Sequence, residues 1–359
     1  MDGKTVKLGI LGSGRGGELG CAVIGEKNVK ITAVCDLHKE RIEKLREVFA
    51  KRGCTDFECY SDYEAMLREA DVDAVVVASA KPDHVKHCIM ALRAGKHVLS
   101  EIPTVCSVGE ARLLKAEVLA HPELVYMAGE NCCYWAFVEM WKKMREDGKF
   151  GDVVYAEGEY LHAAHPDELP DYKYDSWRAE SPAITYLTHE LGPLLDIMDD
   201  RCVSVSCMAP DASYNPKRTR RENGVAIFKT AKGAVIRIFI GFGAFVGFDH
   251  NFALYGTRGS ITTDRRTPLE NAHSFAKLYE IPGSMEGAVE IPVALAYPGE
   301  STEGHGGAEP KMMRDFISCI LEGKKPRLDV KAGIRMSLPG VIADSSSKLG
   351  GALLEIPEI

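Results

Sequence analysis

The segment VKLGILGSGRGGELG, residues Val6 to Gly20, contains the pattern on which the expected fold depends. Val6 to Leu11 is a short apolar run that ends in Gly12, and an apolar-periodic segment follows the glycines. The residues between them, GSGRGG, match G-x-G-x-x-G between a strand and a helix. Such glycines permit a tight turn and let backbone N–H groups approach a pyrophosphate at the helix N-terminus. The segment therefore predicts the start of a dinucleotide-binding domain.

A carboxylate follows the next β-branched run. Asp36 ends KITAVCD, 19 residues after Gly17. At this distance from the glycine turn a carboxylate can accept hydrogen bonds from the hydroxyls of the adenosine ribose. Because a negative charge there would repel a 2′-phosphate, the pattern favours NAD over NADP.

The first part of the chain alternates between two kinds of segment. The strand-like runs are VKLGIL, KITAVCD, DAVVVASA, HVLSE and ELVYMAGE, and helical segments such as HKERIEKLREVFAKRG separate them. Strands that alternate with helices form right-handed crossovers in a parallel sheet covered on both faces. Residues 1–130 are therefore predicted to form an α/β domain, a doubly wound Rossmann sheet.

After this region the pattern becomes strand-rich. The runs GDVVYAEGEYLH, CVSVSCM, GVAIFKTAKGAVIRIFI and FALYGTRGSITT are strand-like, with a hairpin turn at Lys229 to Gly233. Helical stretches follow at Met312 to Leu321 and Val330 to Lys348. Residues 131–359 are therefore predicted to be an α+β domain with a large, mainly antiparallel open sheet, whose C-terminal helices can pack back on the first domain.

The composition and charge of the chain limit the kinds of molecule that it is expected to bind. The 359 residues carry a net charge of −8, which gives no basic surface for nucleic acid. No run approaches the roughly 18 to 20 apolar residues of a membrane span, and no signal peptide is apparent, so a cytoplasmic location is expected. The 11 cysteines include no C-x-x-C pair, which favours thiols over disulfides or a zinc site. The expected partner is a small molecule.

Over nearly its whole length the sequence resembles the Gfo/Idh/MocA oxidoreductases. The resemblance rests on the glycine turn, Asp36, PDHVKHCIMALRAGKHVLSEIP, YGTRGSI and the terminal helices. It implies an NAD- or NADP-dependent enzyme that acts on a sugar or inositol and assembles as a homo-oligomer, a dimer or tetramer. It further implies a set of cofactor-binding residues: Gly12, Ser13, Gly14, Arg15, Gly16, Gly17, Asp36, Ser79, Pro82, His84, Glu101 and Asn131.

One position departs from the usual pattern of that family. In HVLSEIPTVCS, residues His97 to Ser107, Ile102 stands where the family usually has a lysine that helps to move the substrate's proton. Either this chemistry is lost, or other groups perform it.

The missing lysine points to one branch of the family. GENCCYW, YLTHELGP and GHGG resemble segments of NAD-dependent α-N-acetylgalactosaminidases, which are redox-type glycoside hydrolases. This resemblance implies catalytic roles for Tyr186 and His189. It also implies a set of substrate-binding residues: Glu130, Tyr160, Arg178 and His305. Leu187 replaces a proline and Glu190 a glycine of that branch, which leaves the sugar specificity open.

The chemistry of that branch does not need one fixed lysine. Oxidation of a ring hydroxyl, taken as C3, acidifies the neighbouring C2–H; a base removes it, the C1 substituent leaves, water adds, and the ketone is reduced again. Tyr186 and His189 are three residues apart, so they would share one face if YLTHELGPLLDIM opens a helix. The imidazole can exchange protons at neutral pH.

Two other functions remain open at this stage. The chain could be a simple NAD-dependent sugar or inositol dehydrogenase with His189 as its base, or an inactive nucleotide-sensing protein. HAAH at His162 to His165 contains two histidines but has no matched carboxylate, so no metal site is predicted.

Overall fold

The chain forms two compact units. A computed structural model describes residues 4–162, 177–211, 221–244, 247–269, 274–280 and 288–359. The first unit comprises residues 1–130, 303–334 and 359, and the second comprises residues 131–302 and 335–358. Residues 303–334, which the sequence analysis assigned to the second domain, thus group with the first unit, and the division after residue 334 falls inside the last helix.

The first unit contains a six-stranded parallel sheet. Its order is β3-β2-β1-β4-β5-β6. The strands are β1 (Val6–Leu11), β2 (Val29–Cys35), β3 (Glu58–Tyr60), β4 (Ala74–Val77), β5 (His97–Ser100) and β6 (Tyr126–Ala128). This is the strand order of a Rossmann fold, so the predicted fold of this part is confirmed. The short edge strand β3 was not predicted, because a three-residue strand shows no usable periodicity.

Helices connect these strands, and side chains cap the N-termini of α3 and α5. They are α1 (Arg15–Cys21), α2 (Lys39–Lys51), α3 (Tyr63–Glu69), α4 (His84–Arg93) and α5 (Val108–Ala120). The Glu64 N–H donates to Asp62 Oδ1 at 2.8 Å, which caps α3. The Glu110 N–H donates to Ser107 Oγ at 3.1 Å, which caps α5. All four residues of β4 are buried, as expected for a central strand covered on both faces.

The turn between β1 and α1 can be made only by glycine at its first position. Gly12 has φ +92°, and a Cβ at this residue would overlap the carbonyl group of Ala78. Both the backbone conformation and the lack of space therefore exclude a side chain.

The second unit contains a nine-stranded sheet. Its order is β14-β13-β12-β11-β7-β10-β9-β8-β15. The strands are β7 (Val153–Leu161), β8 (Cys202–Met208), β9 (Asn223–Thr230), β10 (Val235–Gly241), β11 (Asp249–Gly256), β12 (Ser260–Thr263), β13 (Phe275–Tyr279), β14 (Ala288–Pro292) and β15 (Leu354–Glu355). Among the described strand pairs of this second sheet, only β7 and β10 run parallel. The predicted mainly antiparallel sheet is therefore confirmed.

The remaining helices complete the two units. They are α6 (Ala136–Glu146), α7 (Trp177–Glu180), α8 (Thr188–Met198), α9 (Glu303–Gly306), α10 (Ala308–Glu322) and α11 (Val330–Lys348). Within the second unit, α8 packs against β7 and α6, and every residue of α8 is buried. None of the helices in the described ranges has the length and apolar character that crossing a bilayer requires.

The nine-stranded sheet has one covered and one open face. Along β9 buried residues such as Ala226 and Phe228 alternate with the more exposed Val225 and Ile227. This period of two is the pattern of a strand that packs a core on one side only. The helix α8, which packs against β7, lies on the covered face.

We predict that Gly12→Ala costs more stability than the same change at Gly53, which also has a positive φ but whose added Cβ would meet no atom within 4 Å. Gly53→Ala should cost about 1 kcal/mol of unfolding free energy through backbone strain alone. Gly12→Ala adds the overlap with Ala78 and should cost about 3 kcal/mol. Urea unfolding of both variants measures the difference, and equal losses would show that the turn after β1 can relax.

Candidate active site

The glycine turn leaves its backbone accessible. Gly14 directly precedes α1, and a Cβ at this residue would meet no atom within 4 Å. Gly16 and Gly17 are buried inside α1, where added side chains would collide with β1 and α2. The turn thus combines open space at Gly14 with close packing from Gly16 onward, which suits a group that must contact backbone N–H groups.

Asp36 is held beside this turn by hydrogen bonds. Its Oδ2 accepts from the Ser13 N–H at 2.9 Å and from the Ser13 hydroxyl at 2.6 Å, and its Oδ1 accepts from the His38 N–H at 2.9 Å. Burial raises the pKa of this carboxyl, but the hydrogen bonds outweigh burial and hold the pKa below its usual range. Asp36 is therefore ionised and fixed in orientation, as recognition of a ribose diol requires.

Arg15 links the turn to two other segments of the first unit. Its guanidinium pairs with Glu18 at 2.9 Å, Glu101 at 2.9 Å and Glu309 at 2.7 Å. Burial lowers the pKa of Arg15, but the two carboxylates of Glu101 and Glu309 more than compensate and raise it. Two of the residues predicted to bind the cofactor, Arg15 and Glu101, thus form an ion pair with each other.

His305 belongs to the first unit and contacts the same carboxylate. Its N–H donates to Glu309 Oε2 at 2.7 Å, and its Nδ1 lies 2.5 Å from Glu309 Oε1. The hydrogen bond to Glu309 raises the pKa of His305. Burial raises the pKa of Glu309, but His305 and Arg15 together lower it to about 2. The substrate contact predicted for His305 stays a prediction. Sequence reasoning missed Glu309, whose ion pair with Arg15 spans 294 residues.

The loop after β4 contains three further predicted cofactor residues. Ser79 Oγ lies 2.8 Å from His87 Nδ1, and Pro82 is exposed in a short 3-10 helix. The buried ring of His84 lies 2.9 Å from the Ser79 carbonyl and 3.2 Å from the Pro103 carbonyl. Burial lowers the pKa of His84. His84 thereby orders this loop through the main chain.

Glu130 and Asn131 lie at the end of the last parallel strand. Glu130 is 1% exposed and follows β6 after one glycine. Asn131 is also buried and begins the 3-10 helix Asn131–Tyr134 of the second unit. The carboxyl ends of parallel strands are where such sheets bind ligands, and the roles of Glu130 and Asn131 stay predictions.

Tyr186 and His189 lie side by side in the second unit. Tyr186 ends the 3-10 helix Ala183–Tyr186, and His189 is the second residue of α8. Their ring centroids are 5.2 Å apart at an angle of 87°. The assumption that one helix carries both residues is wrong, since the α-helix begins only after Leu187. The change of helix type still brings a phenol and an imidazole together.

His189 contacts two further side chains that could exchange or orient a proton. Its Nδ1 lies 3.3 Å from Cys132 Sγ, and its ring meets the edge of the Tyr160 ring at 5.5 Å. Tyr160 belongs to β7 and was predicted to bind substrate. Cys132 was not predicted, although it lies in the quoted GENCCYW, because a single cysteine gives no spacing signal. Cysteine and histidine can also bind metals, and the absence of a metal stays a prediction.

A buried carboxylate and a second histidine complete this cluster. The ring of His250 stacks on Tyr160 at 4.4 Å and 16°, and His250 Nδ1 lies 2.6 Å from Glu190 Oε1. Sequence reasoning identified Glu190 only as a departure from the resembled enzymes. It missed His250, because a lone histidine in a strand is indistinguishable from a core residue.

Several aromatic rings pack around the Tyr160 ring. Phe242, His162 and Phe248 lie with ring centroids 5.0, 5.7 and 6.1 Å from that of Tyr160. Aromatic faces are suited to packing against the apolar faces of sugar rings. His165 lies outside the described residues; Arg178 belongs to α7, and its side chain is outside the described part.

Comparisons with known proteins agree with this architecture. Residues 6–128 match the model of an oxidoreductase family with an NAD-binding Rossmann fold, and residues 138–262 match that of the GFO/IDH/MocA C-terminal domain. A protein of Solibacter usitatus named glycosyl hydrolase family 109 protein is 27% identical, with 99% of this chain and 88% of the relative covered. One of the same name from Streptomyces niveus is 26% identical, with coverages of 99% and 77%.

A solved structure has the same fold. Scyllo-inositol dehydrogenase from Lactobacillus casei, with NAD(H) and scyllo-inositol bound, superposes with a TM-score of 0.79 at 20% identity and covers 98% of this chain and 99% of its own. The two family models together span most of the sequence, from the glycine turn to β12. The chain therefore belongs to the Gfo/Idh/MocA family of oxidoreductases, whose members have an NAD-binding Rossmann fold.

Proposed function

We propose that this protein is an NAD-dependent glycosidase that transiently oxidises a sugar hydroxyl. The observation that carries the proposal is the contact of Tyr186 with His189, 5.2 Å between ring centroids, in a chain that aligns over 99% of its length with proteins named glycosyl hydrolase family 109. A phenol and an imidazole can exchange the protons that both oxidation and elimination require. The substrate class is a glycoside.

The first unit has the features needed to hold NAD. The open space at Gly14 and the ionised Asp36 suit a pyrophosphate and a ribose diol. When bound there, NAD would supply a hydride acceptor for the oxidation of the sugar hydroxyl and a hydride donor for the final reduction. NAD rather than NADP is the cofactor that the charge of Asp36 favours.

The chain's own groups would perform the proton transfers. One of Tyr186 and His189 takes the C3 hydroxyl proton, and the other removes the C2 proton that the new ketone has acidified. The electron pair from the C2–H bond forms a C1–C2 double bond and expels the C1 substituent, which takes a proton from the same group. Addition of water to C1 and C2 and reduction of the ketone complete the hydrolysis, so the overall reaction is redox-neutral.

This scheme accounts for the apolar residue at position 102. Ile102 is a buried hydrophobic residue, so it can neither carry charge nor accept a proton. The proton transfers therefore belong to the second unit, where a phenol, an imidazole and a thiol are in contact.

We further propose that the protein acts as a homo-oligomer in the cytoplasm. The open face of the nine-stranded sheet exposes apolar side chains, among them Met208, Val225, Ile227 and Tyr255. Apolar side chains spread over one sheet face are typical of surfaces that associate, which supports a dimer or tetramer. Small molecules remain the expected ligands, as the net charge of −8 indicates.

The glycosidase proposal predicts hydrolysis without net redox change. Purified protein with its bound NAD should release aryl aglycones from a panel of glycosides while NADH absorbance stays flat. In heavy water the released sugar should carry deuterium at C2, because elimination removes that proton; mass spectrometry of the product measures it. A ketosugar that accumulates with one NADH per turnover would instead establish a sugar or inositol dehydrogenase.

We predict that Asp36→Ala weakens NAD binding by about 10-fold to 100-fold, since hydrogen bonds to a charged group contribute about 1.5 to 3 kcal/mol. Discrimination against NADP should fall as well, because the repelling charge is gone. Asp36→Asn is the matched control, since it keeps an acceptor for Ser13 while removing the charge. Calorimetric titration with both cofactors measures the effect, and an Asp36→Ala variant with unchanged affinities would remove Asp36 from the cofactor site.

We predict that His189→Ala lowers turnover by about 100-fold to 10,000-fold, the usual contribution of a general acid–base group. NAD should remain bound, because the glycine turn and Asp36 belong to the other unit. His121→Ala, which removes a histidine paired with Glu117 in the first unit, serves as the control and should keep full activity. Near-normal turnover of His189→Ala would refute its catalytic role.

A further inference from the structure

Glu190 and His250 form an ion pair or hydrogen bond in the interior of the second unit. Their side chains are 0% and 1% exposed, and Oε1 of Glu190 lies 2.6 Å from Nδ1 of His250. A carboxylate without water is strongly disfavoured unless a cation or several hydrogen bonds compensate its charge. The short contact places Nδ1 of His250 where its N–H can donate to this carboxylate, and a proton on the second ring nitrogen as well would make the pair a carboxylate and an imidazolium.

Gly158 of β7 leaves the space that the Glu190 side chain occupies. A Cβ built at Gly158 of β7 would lie 2.7 Å from Glu190 Cβ and 2.9 Å from Ile238 Cδ1. Any larger residue at position 158 would displace the Glu190 stem. The lack of a side chain at Gly158 on β7 therefore leaves room for Glu190 on α8. Close packing there fixes the Cβ and Cγ atoms of Glu190.

The other side of His250 faces the proposed reaction groups. His250 on β11 is paired with Tyr160 on β7 in the sheet, and their rings stack with centroids 4.4 Å apart. The edge of the Tyr160 ring meets His189 at 5.5 Å, and the His189 and His250 centroids are 6.4 Å apart. A charged imidazole stacked on a phenol is attracted to its face and orients it.

In the described part of the chain, titratable groups contact His250 from at least two elements. Glu190 and His189 face it from α8, and Tyr160 faces it from β7. Its other ring contacts are Trp135 at 5.1 Å and Phe248 at 5.3 Å, which carry no charge. Among these neighbours Glu190 is the one that carries a carboxyl group. Glu190 is therefore the group that can keep His250 charged.

We propose that Glu190 holds His250 as an imidazolium, and that this ring positions Tyr160 and places a positive charge beside the reaction groups. The use of the charge rests on the proposed function, in which negative charge develops on the sugar during C2 deprotonation. A fixed charge in a site without water stabilises such a transition state far more than it would in water. The imidazolium of this pair would be a cationic group beside the reaction groups, which the apolar Ile102 cannot be.

A purely structural pair would have other properties. Buried ion pairs often add little stability, because desolvation offsets the attraction. Replacement by a neutral isostere would then leave catalysis unchanged. The two roles can therefore be separated by Glu190→Gln, which keeps the shape and a hydrogen-bonding group but removes the charge.

The test combines the protonation state of His250 with kinetics. In protein labelled with 15N-histidine, the His250 signals, assigned by their loss in His250→Gln, should show both ring nitrogens protonated at about pH 8, well above the usual range of a histidine. Glu190→Gln should convert them to a neutral imidazole. A neutral His250 in the unsubstituted protein would overturn the proposal, and this readout does not depend on any activity.

For the kinetic part, Glu190→Gln should lower kcat by about 10-fold to 100-fold at about pH 8 and recover part of the loss at about pH 6, where the imidazole regains its proton. The matched control is Glu159→Gln, which removes the neighbouring buried carboxylate of β7 that pairs with Arg237 and Arg265. It should show no such pH-dependent recovery. Melting temperature and bound NAD verify folding of both variants.

Equal kcat for Glu190→Gln and the unsubstituted protein across this pH range would also overturn the proposal. If the unsubstituted protein hydrolyses no glycoside but oxidises a sugar or inositol, the glycosidase assignment fails, and the same comparison is made on that oxidation. The two failures are thus distinguishable, because one concerns the reaction of the unsubstituted protein and the other the difference between variants.

Discussion

The turn after β1 has no room for a side chain, and the geometry of the first unit follows from this constraint. Because Gly12 passes directly over the Ala78 carbonyl, the next residue, Ser13, is brought to Asp36 at the end of the neighbouring strand. One sterically forced glycine thereby fixes both the open backbone at Gly14 and the orientation of a buried carboxylate. Arg15 extends the same arrangement to Glu101 and Glu309.

In the second unit the comparable constraint is the alternation of residues along β7. Gly158 and Tyr160 are two positions apart, so they face the same side of the sheet. The first makes room for Glu190 and the second stacks on His250, while α8 presents His189 and Glu190 as consecutive residues. A sheet face and a helix end thus assemble a phenol, two imidazoles and a carboxylate from segments far apart in sequence.

Local patterns were sufficient where each signal is contained in one short segment. The glycine turn, Asp36 and the buried run of β4 are predictable because a turn, a ribose-binding acid and a central strand each require particular residues at fixed spacing. Tyr186 and His189 could be proposed from a quoted motif, although the helix type between them was misjudged. The roles of Cys132, His250 and Glu309 were not predictable from local patterns. Cys132 contacts His189 at a separation of 57 residues, and His250 contacts Glu190 at a separation of 60. Glu309 pairs with Arg15 at a separation of 294.

The amino-acid sequence was enough to predict a Rossmann sheet followed by a mainly antiparallel one and the cofactor class, because periodicity and short motifs encode them directly. The family followed from the resemblance of longer segments. Folding was needed to reveal that His305 belongs with the first unit, that both ring nitrogens of His84 face main-chain carbonyls, and that Glu190 meets His250 in a space left by Gly158. The reason is physical: burial and charge pairing depend on which side chains approach through space, and strand pairing and helix packing bring together residues that no local pattern relates.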